Sequence, residues 1–329
     1  MTTPLLSLKG ITKRFEKKLD IAGRAARALG APLREETVHA VDDVSLDIHA
    51  GEVVGLVGES GCGKSTLGRI AVGLHAPTAG TREWEGQDIH AMTSEKRRAV
   101  QLQAQMIFQD PYASLNPRMR AIDIIGEAPV VHGIITRAAQ SDYVSGLLQQ
   151  VGLDPSLASR FPHQFSGGQR ARIGIARALA VKPRFLVCDE AVAALDVSIQ
   201  AQVLNLFMQL RASLDLTYLF ISHDLGVVRH LADRVVVMYL GRIVEEGTAE
   251  EIFARPRHPY TRVLLAEVPT LDTTKRRYTP VKGEIPSPLA PPTGCHFHPR
   301  CPHAAEVGEN RCSRDQPKLQ SGVACHLYV

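Results

Sequence analysis

The sequence is poorest in what a membrane-crossing or exported chain needs. No apolar run approaches the roughly 18 residues of a spanning helix, and the best, 235–240, is only strand-sized. The first residues lack a basic stretch followed by a long apolar one, so the expectation is a chain kept in the reducing cytosol, where structural disulfides are disfavoured. Charge of one sign is also missing: 38 Lys and Arg against 34 Asp and Glu leave +4, too little and too evenly spread to imply a nucleic-acid groove. No internal repeat is visible, which excludes a tandem pair of similar domains. The 44% hydrophobic and 22% charged residues exclude bulk disorder and coiled coil. A length of 329 residues allows about two domains.

Strand-like and helix-like segments alternate through most of the chain. Residues 5–11, 41–48 and 52–57 read as strands, the last a continuous apolar run suited to burial on both faces. Between the first two, residues 16–37 turn rich in Ala, Arg and Lys. Leu19, Ala22, Ala26 and Leu29 there suit a short amphipathic helix on a surface insertion. The stretch from 110 to 165 reads as a helical insertion punctuated by prolines. Helices at 170–180 and 198–214 alternate with strands at 185–188 and 216–221, which predicts a parallel sheet covered on both faces. Beyond residue 254 the regularity fades. Eleven of the 20 prolines fall between Pro256 and Pro317, so 255–329 is expected to be a separate, irregular extension of a 1–254 core.

Gly58-Glu59-Ser60-Gly61-Cys62-Gly63-Lys64-Ser65 has the spacing G-x-x-x-x-G-K-S, placed after a buried strand and before a helical run that starts near Thr66. Glycines at this spacing let successive amide N–H groups wrap phosphate oxygens, with Lys64 reaching the β- and γ-phosphates and Ser65 ligating Mg²⁺. Residues 185–190, Phe-Leu-Val-Cys-Asp-Glu, deliver Asp189 and Glu190 to the end of a central strand, where ligands gather in open α/β sheets. Asp189 is a candidate Mg²⁺ partner and Glu190 a candidate base for the water that attacks the γ-phosphate. A phosphate loop alone leaves kinase, GTPase, helicase and transport ATPase open.

Phe165-Ser166-Gly167-Gly168-Gln169-Arg170 opens another helix, a second set of exposed N–H groups. Followed by Ile-Gly-Ile-Ala-Arg-Ala-Leu, it resembles the signature of ATP-binding cassette (ABC) ATPases. The resemblance implies a P-loop NTPase of the α/β class: a RecA-like parallel-sheet core, an antiparallel β subdomain and a helical subdomain. It further implies that Ser166, Gly167, Gly168 and Gln169 of one subunit close over ATP bound to the phosphate loop of another. Other matches assign Gln109 to the loop that senses Mg²⁺ and the attacking water, Asp196 to the loop crossing the dimer interface, and His223 to the switch histidine supporting Glu190. Phe15 falls where the family places an aromatic that stacks on adenine. The family usually has Pro and a hydroxyl residue after the catalytic Glu; Ala191-Val192-Ala193 stand here, which predicts a looser interface loop.

Outside the core, residues 108–119, 161–165, 238–245, 258–261, 283–288 and 295–302 resemble the F-type ATPase subunits of oligopeptide and dipeptide importers. The resemblance implies peptide uptake by a complex of a second ATPase subunit of the related D-type, two integral membrane permease subunits and an external peptide-binding protein. This chain would then sit peripherally on the cytoplasmic face of the inner membrane and touch the membrane only through its partners. Glutathione, nickel chelates, opines or oligosaccharides remain open as cargo, as does a soluble ABC protein outside transport.

Cys295, Cys301, Cys312 and Cys325 follow C-x5-C-x10-C-x12-C within the extension. Four thiolates satisfy tetrahedral zinc or a cubane iron–sulfur cluster, and the spacing has neither the tight pairs of zinc ribbons nor those of ferredoxins. The family resemblance points to [4Fe-4S], with Zn²⁺ as the alternative and His296, His298, His303 or His326 as substitute ligands. Cys62 and Cys188 read as packing residues.

Overall fold

The computed structural model describes residues 3–17, 35–110, 113–266, 283–308 and 310–328. Its strands are, in chain order, β1 (Leu6–Lys17), β2 (Glu36–Ile48), β3 (Val53–Val57), β4 (Ala79–Trp84), β5 (Gln87–Asp88), β6 (Ala104–Ile107), β7 (Phe185–Asp189), β8 (Thr217–Ile221), β9 (Arg234–Tyr239) and β10 (Arg242–Thr248). The helices are α1 (Lys64–Ala71), α2 (Ser94–Gln103), α3 (Ala121–Val131), α4 (Gln140–Gln150), α5 (Gly167–Leu179), α6 (Val197–Leu214), α7 (Leu225–Leu231), α8 (Ala249–Ala254), α9 (Pro259–Ala266) and α10 (Arg311–Arg314).

Two sheets divide the strands. One is antiparallel, in the order β2-β1-β4-β5. The other, in the order β10-β9-β3-β8-β7-β6, is parallel except at its edge, where β10 turns back on β9. Every residue of β3, β7 and β8 is buried, as apolar runs in a doubly covered sheet should be. Gly55 lets α7 lie close to the sheet, since a Cβ there would come within 2.4 Å of Val228 Cγ1. The register pairs Leu56 and Asp189 each with Ile221, and Val57 with Val237. The carboxyl ends of β3, β7 and β8 therefore finish side by side, and the residues just beyond them share one rim.

One expectation changes. β1 runs on to Lys17 and β2 begins at Glu36, so the long hairpin extends beyond the predicted strands and carries Phe15 opposite Val38. Residues 14–17 at the outer end of β1 are exposed, and apolar alternation therefore gave no sign of them. The predicted insertion helix at Leu19, Ala22, Ala26 and Leu29 lies outside the described residues.

The helical insertion shares one apolar cluster with the sheet: Ile125, Val144 and Leu148 join Ile173, Leu186 and Phe220. Arginines tie it down, with Arg177 donating to the Ser114 carbonyl at 2.5 Å and Arg170 to the Pro162 carbonyl at 2.6 Å.

The extension is better packed than its proline content suggested. Tyr260, Leu264 and Phe297 are buried in a cluster with Val235, Val237, Tyr239 and Val244 of the core. Tyr239 and Tyr260 have ring centroids 4.6 Å apart, and Phe297 stands edge-on to Tyr239 at 5.3 Å. Few but large aromatics supply the area that composition seemed to deny. Buried Glu245 accepts the amides of Arg257 and His258 at 2.7 and 2.9 Å, anchoring the chain as it leaves the core. Phe297→Ala is expected to cost about 3–5 kcal/mol of stability, against less than about 0.5 kcal/mol for the exposed Leu289→Ala. Chemical denaturation of the full chain measures both.

Candidate functional site

The phosphate loop leaves β3 through backbone that only glycine accommodates. Gly58 and Gly63 have φ of 153° and 107°, and a Cβ on either would lie 2.1 Å from a carbonyl oxygen, that of Met238 and of Ala40 respectively. Gly63 caps α1, which places the helix N-terminus and its free amides at the rim of the sheet. The buried Lys64 ammonium donates to the carbonyls of Gly58 and Glu59 at 2.7 and 2.9 Å. Those bonds hold the cation inside the loop, ready to exchange one carbonyl for a phosphate oxygen.

Ser65, at the start of α1, donates its hydroxyl to Asp189 Oδ1 at 2.7 Å. Burial raises the Asp189 pKa, and the bond from Ser65 together with the charge of Arg69 pulls it partly back. Two hard oxygens meeting at a helix N-terminus are a suitable donor set for Mg²⁺. Glu190 follows in left-handed backbone with φ of 47°, which costs a non-glycine residue on the order of 1–3 kcal/mol. Its amide, donating to the Ile221 carbonyl at 3.0 Å, holds that geometry. Gln109 Nε2 donates to Glu190 Oε2 at 2.7 Å, and His223 Nδ1 lies 3.4 Å from the same oxygen. Three segments remote in sequence thus meet at one carboxylate.

A cavity of about 310 Å³ lies over this rim, lined by residues that include Phe15, Ser60, Lys64, Gln109, Glu190 and Pro288. Gly61, Gly63, Ser65 and Thr66 also border it. Phe15 stands edge-on to His75 at 5.8 Å, with the Lys13 ammonium 5.0 Å from its ring centre. Pro288 was not foreseen; its carbonyl accepts the amide of His39 at 2.9 Å, and this bridge brings the extension to the cavity's edge. Cys62 is buried, which raises its pKa despite Lys64, and Cys188 is likewise pushed up by burial. Both suit packing rather than reactivity.

Ser166, Gly167, Gly168 and Gln169 are not among the residues lining that cavity. Ser166 caps α5 in a reciprocal box with Gln169, at 3.3 and 3.1 Å. Gly168 admits α6, since a Cβ there would meet Ile199 Cγ2 at 2.5 Å. Asp196 caps α6 without a side-chain hydrogen bond, and the adjoining Val197 is 84% exposed. Ala191 and Val192 are buried in the core beneath the loop, so packing occupies the place where proline was expected to stiffen it.

The cysteines need a correction. Among the described residues, no group of three or more His, Cys, Asp or Glu side chains is placed to hold a metal ion. All six cysteines are free thiols. Burial pushes the pKa of Cys295 up to about 12 and that of Cys301 to about 11. Cys312 and Cys325 are raised for the same reason. Cys295 donates its amide to the Cys312 carbonyl at 2.8 Å. His296, His298 and His326 have ring nitrogens bonded to the backbone carbonyls of Leu240, Cys295 and Asp315, and His303 pairs with Glu306. The expected metal-binding extension is thus not preformed as a compact ligand group. A folded segment of neutral thiols can be held by its aromatics alone.

Comparison with known proteins follows from this geometry. The family model described as ABC transporter matches residues 41–193, and that described as oligopeptide/dipeptide transporter, C-terminal region, matches 244–307. The chain is 50% identical over 300 residues to the putative oligopeptide transport ATP-binding protein YkfD of Bacillus subtilis, covering 90% of this chain and 91% of that protein. With the oligopeptide transport ATP-binding protein AppF of the same organism it shares 48% identity over 333 residues, covering 98% and 97%. Among solved structures, the ATP-binding cassette MJ0796, a dimer in a post-hydrolysis state bound to ADP and Pi, superposes with a TM-score of 0.62 at 26% identity. That match covers 74% of this chain and 98% of the other.

Lys64→Ala is expected to weaken binding of a nucleoside triphosphate by roughly 10- to 100-fold, the loss of a charge-assisted contact. Equilibrium titration with a fluorescent nucleotide reads the change.

Proposed function

The chain belongs to the ABC transporter family, among the ATP-binding proteins of oligopeptide transport, and from that premise we propose that it binds and hydrolyses ATP to drive peptide import. The observation that carries this reading is the meeting of Gln109 and His223 on the carboxylate of Glu190, beside the Ser65–Asp189 pair.

In the proposed cycle, the triphosphate lies along the loop from Gly58 to Thr66, with Lys64 on its outer phosphates and the adenine against Phe15. Ser65, Asp189 and Gln109 would hold Mg²⁺, which would supply charge neutralisation for the phosphate oxygens. Glu190 takes the proton of a water whose oxygen attacks the γ-phosphorus. The bond from that phosphorus to the bridging oxygen breaks, and ADP leaves with the electron pair. His223 and Gln109 hold the Glu190 carboxylate and the water in line.

The separation of Ser166 to Gln169 from the cavity supports a head-to-tail pair, in which this helix start closes over ATP held by another ATPase subunit. A D-type subunit is the proposed partner. Among the described residues no helix is long and apolar enough to cross a membrane. The translocation path is therefore assigned to two permease subunits, with this chain peripheral on the cytoplasmic face and peptides delivered by an external binding protein. The segment from 110 to 165 is proposed to pass dimer closure to the permeases. The relatives' names favour peptides over the other cargoes and transport over a soluble role.

For the extension we propose a [4Fe-4S] cluster held by Cys295, Cys301, Cys312 and Cys325. Every pair among these four thiols interacts electrostatically, so the sulfurs share one neighbourhood. A cubane cluster takes four thiolate ligands, the number these residues would supply.

Glu190→Gln keeps the hydrogen-bonding shape and removes the base. ATP affinity should stay within about twofold of the parent while turnover falls at least ~100-fold; unchanged turnover in a phosphate-release assay would remove Glu190 from its role. Protein purified without oxygen should carry iron and sulfide in equal amounts, whereas zinc without iron would overturn the cluster.

A further inference from the structure

Glu59 is the residue at which the phosphate loop and the extension meet, and all three of its polar groups are committed. Its carbonyl accepts from the Lys64 ammonium at 2.9 Å. Its amide donates to the Tyr260 hydroxyl at 2.8 Å. Its carboxylate takes a two-pronged bond from Arg300, at 2.9 and 3.0 Å, across 241 positions of sequence. Arg300 is itself held by the aromatic cluster that joins the extension to the core. It donates to the Tyr239 hydroxyl at 3.3 Å, lies 5.8 and 5.9 Å from the ring centres of Tyr239 and Phe297, and its side chain is only 7% exposed.

A carboxylate is an odd choice in a loop built to receive a triphosphate. Glu59 sits between Gly58 and Ser60, one residue from the cavity lining, and its backbone carbonyl accepts from Lys64. Left ionised and unpaired, it would repel the ligand through a poorly screened medium, since the Debye length of about 8 Å at physiological salt exceeds the spacing of adjacent loop residues. A bidentate guanidinium cancels that charge and fixes the carboxylate in one direction.

We propose that Arg300 is a positioning and charge-compensating residue of the nucleotide site: the extension reaches back to neutralise Glu59 and thereby sets the affinity of the phosphate loop for ATP. The inference rests on the ATP-binding reading above and adds that the two parts of the chain are energetically coupled. Tyr260 supports the same arrangement from the backbone side, satisfying an amide that would otherwise be unpaired.

The test is equilibrium binding of a methylanthraniloyl-labelled ATP with Mg²⁺ to the full chain at low and high salt, alongside kcat and KM. Arg300→Met is expected to weaken binding about tenfold at low salt, with the defect shrinking in 0.5 M salt as the exposed charge is screened. Arg300→Lys, which keeps the charge, should stay within about threefold. Glu59→Gln alone should bind at least as tightly as the parent, and adding it to Arg300→Met should restore affinity to within about threefold. KM should carry the changes and kcat should not, because neither side chain touches the reacting atoms. Parent-like binding by Arg300→Met would overturn the proposal, as would a double variant no better than Arg300→Met or a Glu59→Gln variant that is itself weakened. Should Arg300→Met fail to fold, Glu59→Gln and Arg300→Lys still decide. If the parent chain bound no ATP, the function proposed above would fail; a parent that binds with variants that do not differ would sink the coupling alone.

Discussion

The site depends first on the register of three parallel strands. Because Leu56 and Asp189 both pair with Ile221, the chain turns out of β3, β7 and β8 at one level and delivers the phosphate loop, the Asp189–Glu190 pair and His223 to one rim. A slip of one residue in β7 would turn Asp189 to the opposite face and part it from Ser65. Fully apolar strands resist that slip only through packing. The glycine contacts at Gly55 and Gly68 are therefore part of the constraint, since they admit α7 and α1 to opposite faces of the sheet at distances no side chain would permit.

Most of this rim was legible in the sequence because its chemistry is local. G-x-x-x-x-G-K-S after an apolar run specifies a strand, a loop and a helix start within a few residues, and the structure has all three. The apolar run before Asp189 likewise announced its place at a strand end. What the residues alone did not disclose is long-range or conformational. Nothing in the identity of Glu190 reveals its left-handed backbone, which depends on an amide bond to Ile221 in the next strand. Arg300, in a proline-rich tail, bears no mark of this contact in the sequence, and only folding brings it to Glu59. The exposed outer hairpin escaped notice because alternation of apolar residues records burial, not strand geometry.

The extension shows how composition misleads at the scale of a whole segment. Proline and the fading regularity of the sequence suggested a separate, irregular piece. Tyr260 and Phe297, buried against Tyr239, give it a foothold independent of any ligand, and Glu245 fastens its start. A cluster in this segment would then tighten a fold that already exists rather than create it. Pro288 at the cavity edge and Arg300 on the phosphate loop are consistent with a tail selected for what it touches as much as for what it binds.

These contacts divide the work between the chain and its proposed partner. Gln109 and His223 meet Glu190, and Ser65 meets Asp189, all within one chain, so these contacts need no second subunit to form. The signature helix start is capped within its own chain and stands apart from the cavity, while Val197 beside Asp196 leaves an apolar side chain in solvent. The capped helix start and the exposed apolar residue at the neighbouring loop both suit the proposed closure of a second ATPase subunit. Binding then becomes a property of the single chain, tuned by Glu59 and Arg300. Under the proposed head-to-tail pairing, hydrolysis becomes a property of the pair, because the partner's helix start would add its amides to the charge that develops on the γ-phosphate.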